Sequence, residues 1–195
     1  MKLPRKLHRS FYLRPTLSVA KDLIGKQLVR KRGRRFLVGR IVEVEAYLGE
    51  MDPASHAYRG QTKRNEVMFR NGGHLYVYFT YGMHFCANVV TEKEGKGRAV
   101  LLRALEPLQG IAVMRRLRGK NGEGVNVTNG PAKLCEAFAI AREENGTDLL
   151  GETIFIADGE KIPPRRIGRS ARIGIRNGTE KQWRFYLRGN AFVSR

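Results

Sequence analysis

Cysteine and acidic side chains are both scarce in this chain. Only Cys86 and Cys135 occur among 195 residues, far apart and without C-x-x-C or C-x-x-H spacing. That argues against an iron–sulfur cluster or a zinc site and fits a reducing compartment. No apolar run is long enough to span a bilayer, and the opening Met-Lys-Leu-Pro-Arg-Lys has no apolar stretch behind it. No membrane role and no targeting signal are therefore expected. G-x-S-x-G, a Walker loop and a Rossmann fingerprint with its acidic residue are missing as well, and the Gly-Lys-Gly and Asn-Gly-Gly pieces are too short to cradle a phosphate.

The shortage of acid is the more informative of the two. Asp and Glu number 18 against 37 Lys and Arg, a formal net charge of +19. Such a charge makes a compact state repel itself, so a polyanionic partner is expected and nucleic acid comes first. A basic membrane-surface protein would need a long amphipathic Lys-rich helix, which is not seen. The plain alternative is a generally basic surface. With 42% apolar residues the chain can build one domain, residues 1–195, around its own core.

The stretch from His74 to Val90 organises the rest. Leu75, Val77 and Phe79 alternate with Tyr76, Tyr78 and Thr80, the period of a half-buried strand. Tyr81-Gly82 interrupts the pattern, and Met83, Phe85, Ala87 and Val89 then alternate with His84, Cys86 and Asn88. This reads as a β-hairpin with Tyr-Gly-Met at its tip. A tyrosine and a methionine on an exposed tip suit a wedge that enters a stack of bases. From this stretch alone, Tyr76, Tyr78 and Tyr81 read more simply as ordinary sheet aromatics.

Elsewhere Leu17, Ala20 and Ile24 recur at helical spacing from Thr16, with Gly25 as the stop. Phe36 to Leu48 reads as a strand with Glu43, Glu45 and Tyr47 on one alternating face. Residues 49–73 form a long turn-rich surface loop, and Ala99–Leu105 a further strand. Pro107 opens a helix closed by Arg115, Arg116 and Arg118, and residues 119–129 are a polar, glycine-rich loop. Gly130-Pro131 opens another helix, with Leu134, Phe138 and Ala141 on one face and Gly146 at its end. Thr153–Ala157, Arg172–Ile175 and Arg184–Leu187 are short strands. The pattern predicts an α+β fold with a mainly antiparallel sheet.

A carboxylate on a mostly apolar strand is costly to bury unless paired, so Glu45 either faces solvent or works. Beside aromatics it could activate a water. Glu43 reads as solvated. Glu43, Glu45, Asp52 and His56 could be taken for a metal-binding nuclease cluster, but their spacing follows no ligand motif and no metal is expected. His56, on a Gly/Asp/Pro loop, fits the wall of a pocket or an ordinary loop histidine.

Six blocks carry a resemblance over nearly the whole chain: Val44-Glu-Ala-Tyr-Leu-Gly49 with His56; Gln61-Thr-Lys-Arg-Asn65; Leu75-Tyr-Val-Tyr-Phe-Thr-Tyr-Gly-Met83; Leu101-Leu-Arg-Ala-Leu-Glu-Pro107; Gly130-Pro-Ala-Lys-Leu-Cys135; and Arg184-Phe-Tyr-Leu-Arg-Gly189. Together they resemble the alkyladenine DNA glycosylases, also called methylpurine or 3-methyladenine DNA glycosylases. The resemblance implies a single α+β domain: an open, curved antiparallel sheet, a partial barrel, with peripheral helices and a protruding β-hairpin. It implies a monofunctional enzyme that flips a damaged purine (3-methyladenine, 7-methylguanine, hypoxanthine) out of duplex DNA and hydrolyses its N-glycosidic bond, leaving an abasic site. In those terms Glu45 is the general base and Arg103 helps hold the attacking water. Tyr47 on one side, with His56 and Tyr78 on the other, sandwiches the base. Asn88 opposes the exocyclic amino group of guanine, Tyr81 fills the hole in the helix, and Arg64, Met83 and Lys133 touch DNA. No cofactor is implied, the expected state is a monomer, and the expected location is cytoplasmic and DNA-associated, or nuclear in a eukaryote. Two rivals remain. One is a non-catalytic architectural DNA binder with Tyr81 as a wedge, which gives no reason for Glu45 beside Tyr47 and Tyr78. The other is an RNA-binding or RNA-processing protein, since stacking aromatics on a basic sheet also suit single-stranded RNA.

Overall fold

The structure is a computed structural model, described here for residues 5–194. In chain order it has helices α1 (Arg9–Tyr12) and α2 (Thr16–Leu23), strands β1 (Gln27–Arg32), β2 (Arg35–Leu48), β3 (Leu75–Thr80), β4 (His84–Thr91) and β5 (Arg98–Gln109), helices α3 (Ile111–Arg118) and α4 (Pro131–Ala137), and strands β6 (Ile154–Ala157), β7 (Ile167–Ser170) and β8 (Arg184–Leu187).

All eight strands join one antiparallel sheet in the order β3-β4-β5-β2-β1-β6, with β8 on β2 and β7 on β8. The sheet is open. Its axis is β2, whose 14 residues have β5 along one edge. The other edge is shared: β1 pairs with Arg35–Arg40, and β8 takes over at Glu43–Glu45. Register irregularities between Ile41 and Val44 mark the handover, and bulges of this kind bend a strand and re-aim its side chains. One face of the sheet carries the main core, where Val19 and Leu23 of α2, Met114 of α3 and Leu134 of α4 pack on Leu28, Ile41, Val44 and Leu102. A smaller cluster pins the 57–69 segment with Val67, Met68 and Phe69 on Tyr76, Val90 and Ala99.

The expected α+β architecture and hairpin are present, and α2 ends as foreseen at Gly25, φ +91°. Other boundaries differ for physical reasons. Pro107 opens no helix: β5 runs through it, opposite Gly39 at a register irregularity, where a sheet tolerates a proline. The helix begins after Gly110, φ +81°. Helix α4 does not reach Gly146. Ala139, φ +50°, takes the left-handed position, while the N–H of Ile140 donates to Cys135 and that of Ala139 to Glu136. This is a Schellman ending without its usual glycine. Arg172–Ile175 is not a strand, whereas β1 and β7 form where no strand was expected. The 49–73 segment is no mere surface loop, since it buries Asp52, Ser55, Ala57, Asn65, Val67, Met68 and Phe69.

Candidate active site

Strand β2 delivers Glu43, Glu45 and Tyr47 to one face, and the sheet buries both carboxylates completely. Glu43 is therefore not the solvated residue its sequence setting implied. Its Oε1 accepts from Arg103 Nε (3.0 Å), Arg184 Nε (2.7 Å) and Ser194 Oγ (2.8 Å), and its Oε2 from the Ser194 N–H (2.6 Å). Two guanidiniums and two further donors replace the lost water. Glu43 in turn fixes Arg103, whose Nη1 stands 3.3 Å from Glu45 Oε1.

Glu45 is held more sparingly. Its Oε1 accepts the Ile173 N–H at 2.7 Å and its Oε2 the Tyr47 hydroxyl at 2.9 Å. Burial pushes its pKa above the ordinary glutamate value, and the Arg103 charge, the Ile173 N–H and the Tyr47 hydroxyl only partly offset this. A raised carboxylate pKa is what a general base needs to take a proton from water.

In front of this pair opens a cavity of about 310 Å³ lined by Tyr47, His56, Tyr76, Tyr78, Asn88 and Arg103. One wall is aromatic: His56 meets Tyr78 edge-on at 4.5 Å, and Tyr76 stacks on Tyr78 at 5.6 Å. His56 Nδ1 lies 3.0 Å from the Tyr76 hydroxyl. Burial, and next the Arg64 charge, lower the His56 pKa from its ordinary value. Asn88 donates its Nδ2 to the Tyr76 carbonyl at 3.2 Å, which fixes the amide and leaves its oxygen uncommitted by that bond. A planar, electron-poor ring is the ligand such walls favour.

The family described as methylpurine-DNA glycosylase matches residues 10–191. The chain belongs to the methylpurine-DNA glycosylase family. Similar proteins from Carboxydothermus hydrogenoformans (51% identical), Burkholderia lata (48%) and Chlorobium phaeovibrioides (47%) each carry the name "Putative 3-methyladenine DNA glycosylase". The alignments cover 97%, 96% and 97% of this chain and 98%, 90% and 96% of those proteins. Membership makes this a DNA glycosylase, a hydrolase of DNA repair.

The glycosylase fold brings together Glu45, Arg103, Tyr47, His56, Tyr78 and Asn88. Tyr81 stands at the hairpin tip, 84% exposed, with Met83 beside it at 70%. Arg64 is exposed on the 49–73 segment near His56. Lys133 lies outside the cavity wall on α4, its Nζ donating to Asn126 Oδ1 (3.1 Å) and Asn129 Oδ1 (2.8 Å). Of the four residues weighed and set aside as a metal cluster, Asp52 is taken up by an ion pair, accepting from Arg172 Nη1 and Nη2 at 2.5 and 2.7 Å. Among the described residues no three His, Cys, Asp or Glu side chains could share an ion, and no helix is long and apolar enough to cross a membrane. Sequence reasoning missed Tyr76 as a wall residue, Asp52 and Arg172 as a buried pair, and Ile173 as a backbone donor. Only Tyr76 left a signal, its place on the aromatic face of the hairpin.

Proposed function

We propose that the protein is a monofunctional purine DNA N-glycosylase that flips alkylated or deaminated purines, of the 3-methyladenine, 7-methylguanine and hypoxanthine class, from duplex DNA. Glu45 removes a proton from a water while the water oxygen bonds to C1′ of the flipped nucleotide. The bond from C1′ to the purine breaks, and its electron pair leaves with the base. An N-alkylated purine starts as a cation and departs neutral, so for it a single general base suffices; hypoxanthine starts neutral, leaves as an anion and takes a proton from solvent. The proton rests on Glu45, and the products are an abasic sugar and a free purine. Arg103 orients the water, and its charge opposes protonation of Glu45. Tyr47 faces one side of the base, with His56 and Tyr78 on the other, and Asn88 meets its edge. Tyr81 takes the vacated place in the stack, where stacking offsets a flipping cost of a few kcal/mol. Arg64, Met83 and Lys133 contact the duplex, and the enzyme acts as a monomer.

The observation that carries this reading is a fully buried carboxylate of raised pKa, directly behind an aromatic-lined cavity of about 310 Å³. The test is single-turnover excision from a hypoxanthine-containing duplex, with and without alkali. Glu45→Gln should bind DNA within a few fold of wild type and lose about 10²–10⁴-fold in rate. The product strand should break only after alkali. Wild-type rates in Glu45→Gln would remove the general-base role, and borohydride trapping of an enzyme–DNA adduct would show a lysine Schiff base instead.

A further inference from the structure

Behind the Tyr47 ring lies an ion pair that the reaction itself does not use. Arg172 and Asp52 have fully buried side chains and meet in a two-pronged contact, Nη1 to Oδ2 at 2.5 Å and Nη2 to Oδ1 at 2.7 Å. Arg172 Nη1 also donates to the Ala46 carbonyl at 3.0 Å, one residue from Glu45. The guanidinium carbon stands 4.6 Å from the centre of the Tyr47 ring and 5.1 Å from that of Trp183. Asp52 holds its own place through the N–H groups of Leu48 and Ala54, each at 3.2 Å.

The next residue is Ile173, whose N–H is the 2.7 Å donor to Glu45. Residues 173–177 continue as the cavity wall facing the aromatics. At the far end of that wall Gly178, φ +66°, comes back against the pair, where a Cβ would lie 3.1 Å from Arg172 Nη2. The pair is thus the common anchor of the stacking ring, the base's hydrogen-bond donor and one wall of the cavity. As packing alone it is a poor choice, because apolar residues of similar volume often serve a buried site as well or better. What Arg and Asp supply is direction: a planar fork that can sit in one orientation.

We infer that Asp52 and Arg172 are positioning residues for excision: they set the plane of Tyr47 and, through the Ile173 N–H, the aim and basicity of Glu45. This rests on Glu45 acting as the general base. Its signature separates it from a purely structural role. The Ile173 N–H lowers the Glu45 pKa, so loosening Arg172 weakens that bond and moves the acid limb of the rate profile to higher pH.

The experiment uses the full chain and a hypoxanthine duplex, with enzyme in excess, across pH. Arg172→Lys keeps the charge but not the fork or the plane. Asp52→Leu with Arg172→Met replaces the pair by apolar volume and protects against a folding failure of the first variant. Gly178→Ala presses on the pair without removing a charge. Thermal melts establish the folded fraction of each. The expected result is a fall of about 10²-fold in the rate per folded molecule, the scale of a small misplacement at a reacting centre. DNA affinity should stay within a few fold, and the acid limb should move upward. Folded variants with the wild-type rate and limb overturn the inference. A normal loss in Glu45→Gln with unaffected Arg172 variants strikes this inference alone, whereas an active Glu45→Gln strikes the general-base reading beneath it.

Discussion

Glu43 and Glu45 are the same residue two positions apart, both fully buried, in very different surroundings. Glu43 takes four donors and serves as the counter-charge that holds Arg103 and Arg184. Removing one partner of a buried charge cluster leaves the others uncompensated, so Glu43→Gln should cost about 3–5 kcal/mol in a urea titration. A loss below 1 kcal/mol would mean that Arg103 is solvated in solution. Glu45 has the lighter shell, and its pKa lies above the ordinary value of about 4.3. As the proposed general base, Glu45 would work only when deprotonated, so excision should fall, approaching tenfold per pH unit, once the pH drops below that raised pKa. An acid limb at or below about 4.3 in single-turnover rates would contradict the burial argument. Strand alternation was enough to place both carboxylates and Tyr47 on one face. The fate of Glu43 was not legible, because its partners Arg184 and Ser194 lie 141 and 151 residues away.

At the scale of elements, what could be read was periodic and what could not was an exception to a local rule. The hairpin and the long β2 announce themselves by alternation. Helix α4 hides its end because Ala139, not glycine, adopts the left-handed turn. Pro107 looks like a helix start because its bulge partner is known only once β2 and β5 are paired. The hairpin tip is the most telling exception. Tyr81 (φ +50°) and Gly82 (φ +68°) are both left-handed, and the Met83 N–H closes the turn on Thr80 at 3.3 Å. That is the conformation in which Asn-Gly is favoured, and a tyrosine there costs on the order of 1 kcal/mol. With 84% of Tyr81 exposed, packing repays little of it. Tyr81→Asn should therefore melt at or above wild type while a fluorescent purine analogue at the lesion reports loss of the flipped state. A variant that melts several degrees lower yet flips normally would make Tyr81 an ordinary sheet aromatic.

For the whole molecule the charge excess is the largest single fact, and the structure sorts it. Many acids are spent inside the protein: Arg40 is shared by Glu106 and Glu160, Arg30 meets Glu144, and Arg98 meets Glu92. Cations so engaged release few counterions when DNA arrives. Arg64 is exposed beside the cavity mouth, and Arg34 is exposed at the β1–β2 turn. Ten residues of β2 separate Arg35 from Glu45, roughly 30 Å at the rise of a strand. A duplex centred on the cavity by way of Tyr81 should meet the first of these cations and miss the second. Duplex binding loses about 0.9 from the slope of log affinity against log salt for each phosphate contact removed. Arg64→Gln should lower the slope by about that amount, while Arg40→Gln and Arg34→Gln leave it unchanged. Titrations of one undamaged duplex at several salt concentrations give all three slopes. An effect from Arg34 would mean that DNA runs along β2 to the far turn, and none from Arg64 would move the duplex off the cavity mouth. Either result would redraw the DNA-binding face without touching the chemistry proposed at Glu45, since that proposal rests on contacts made inside the sheet.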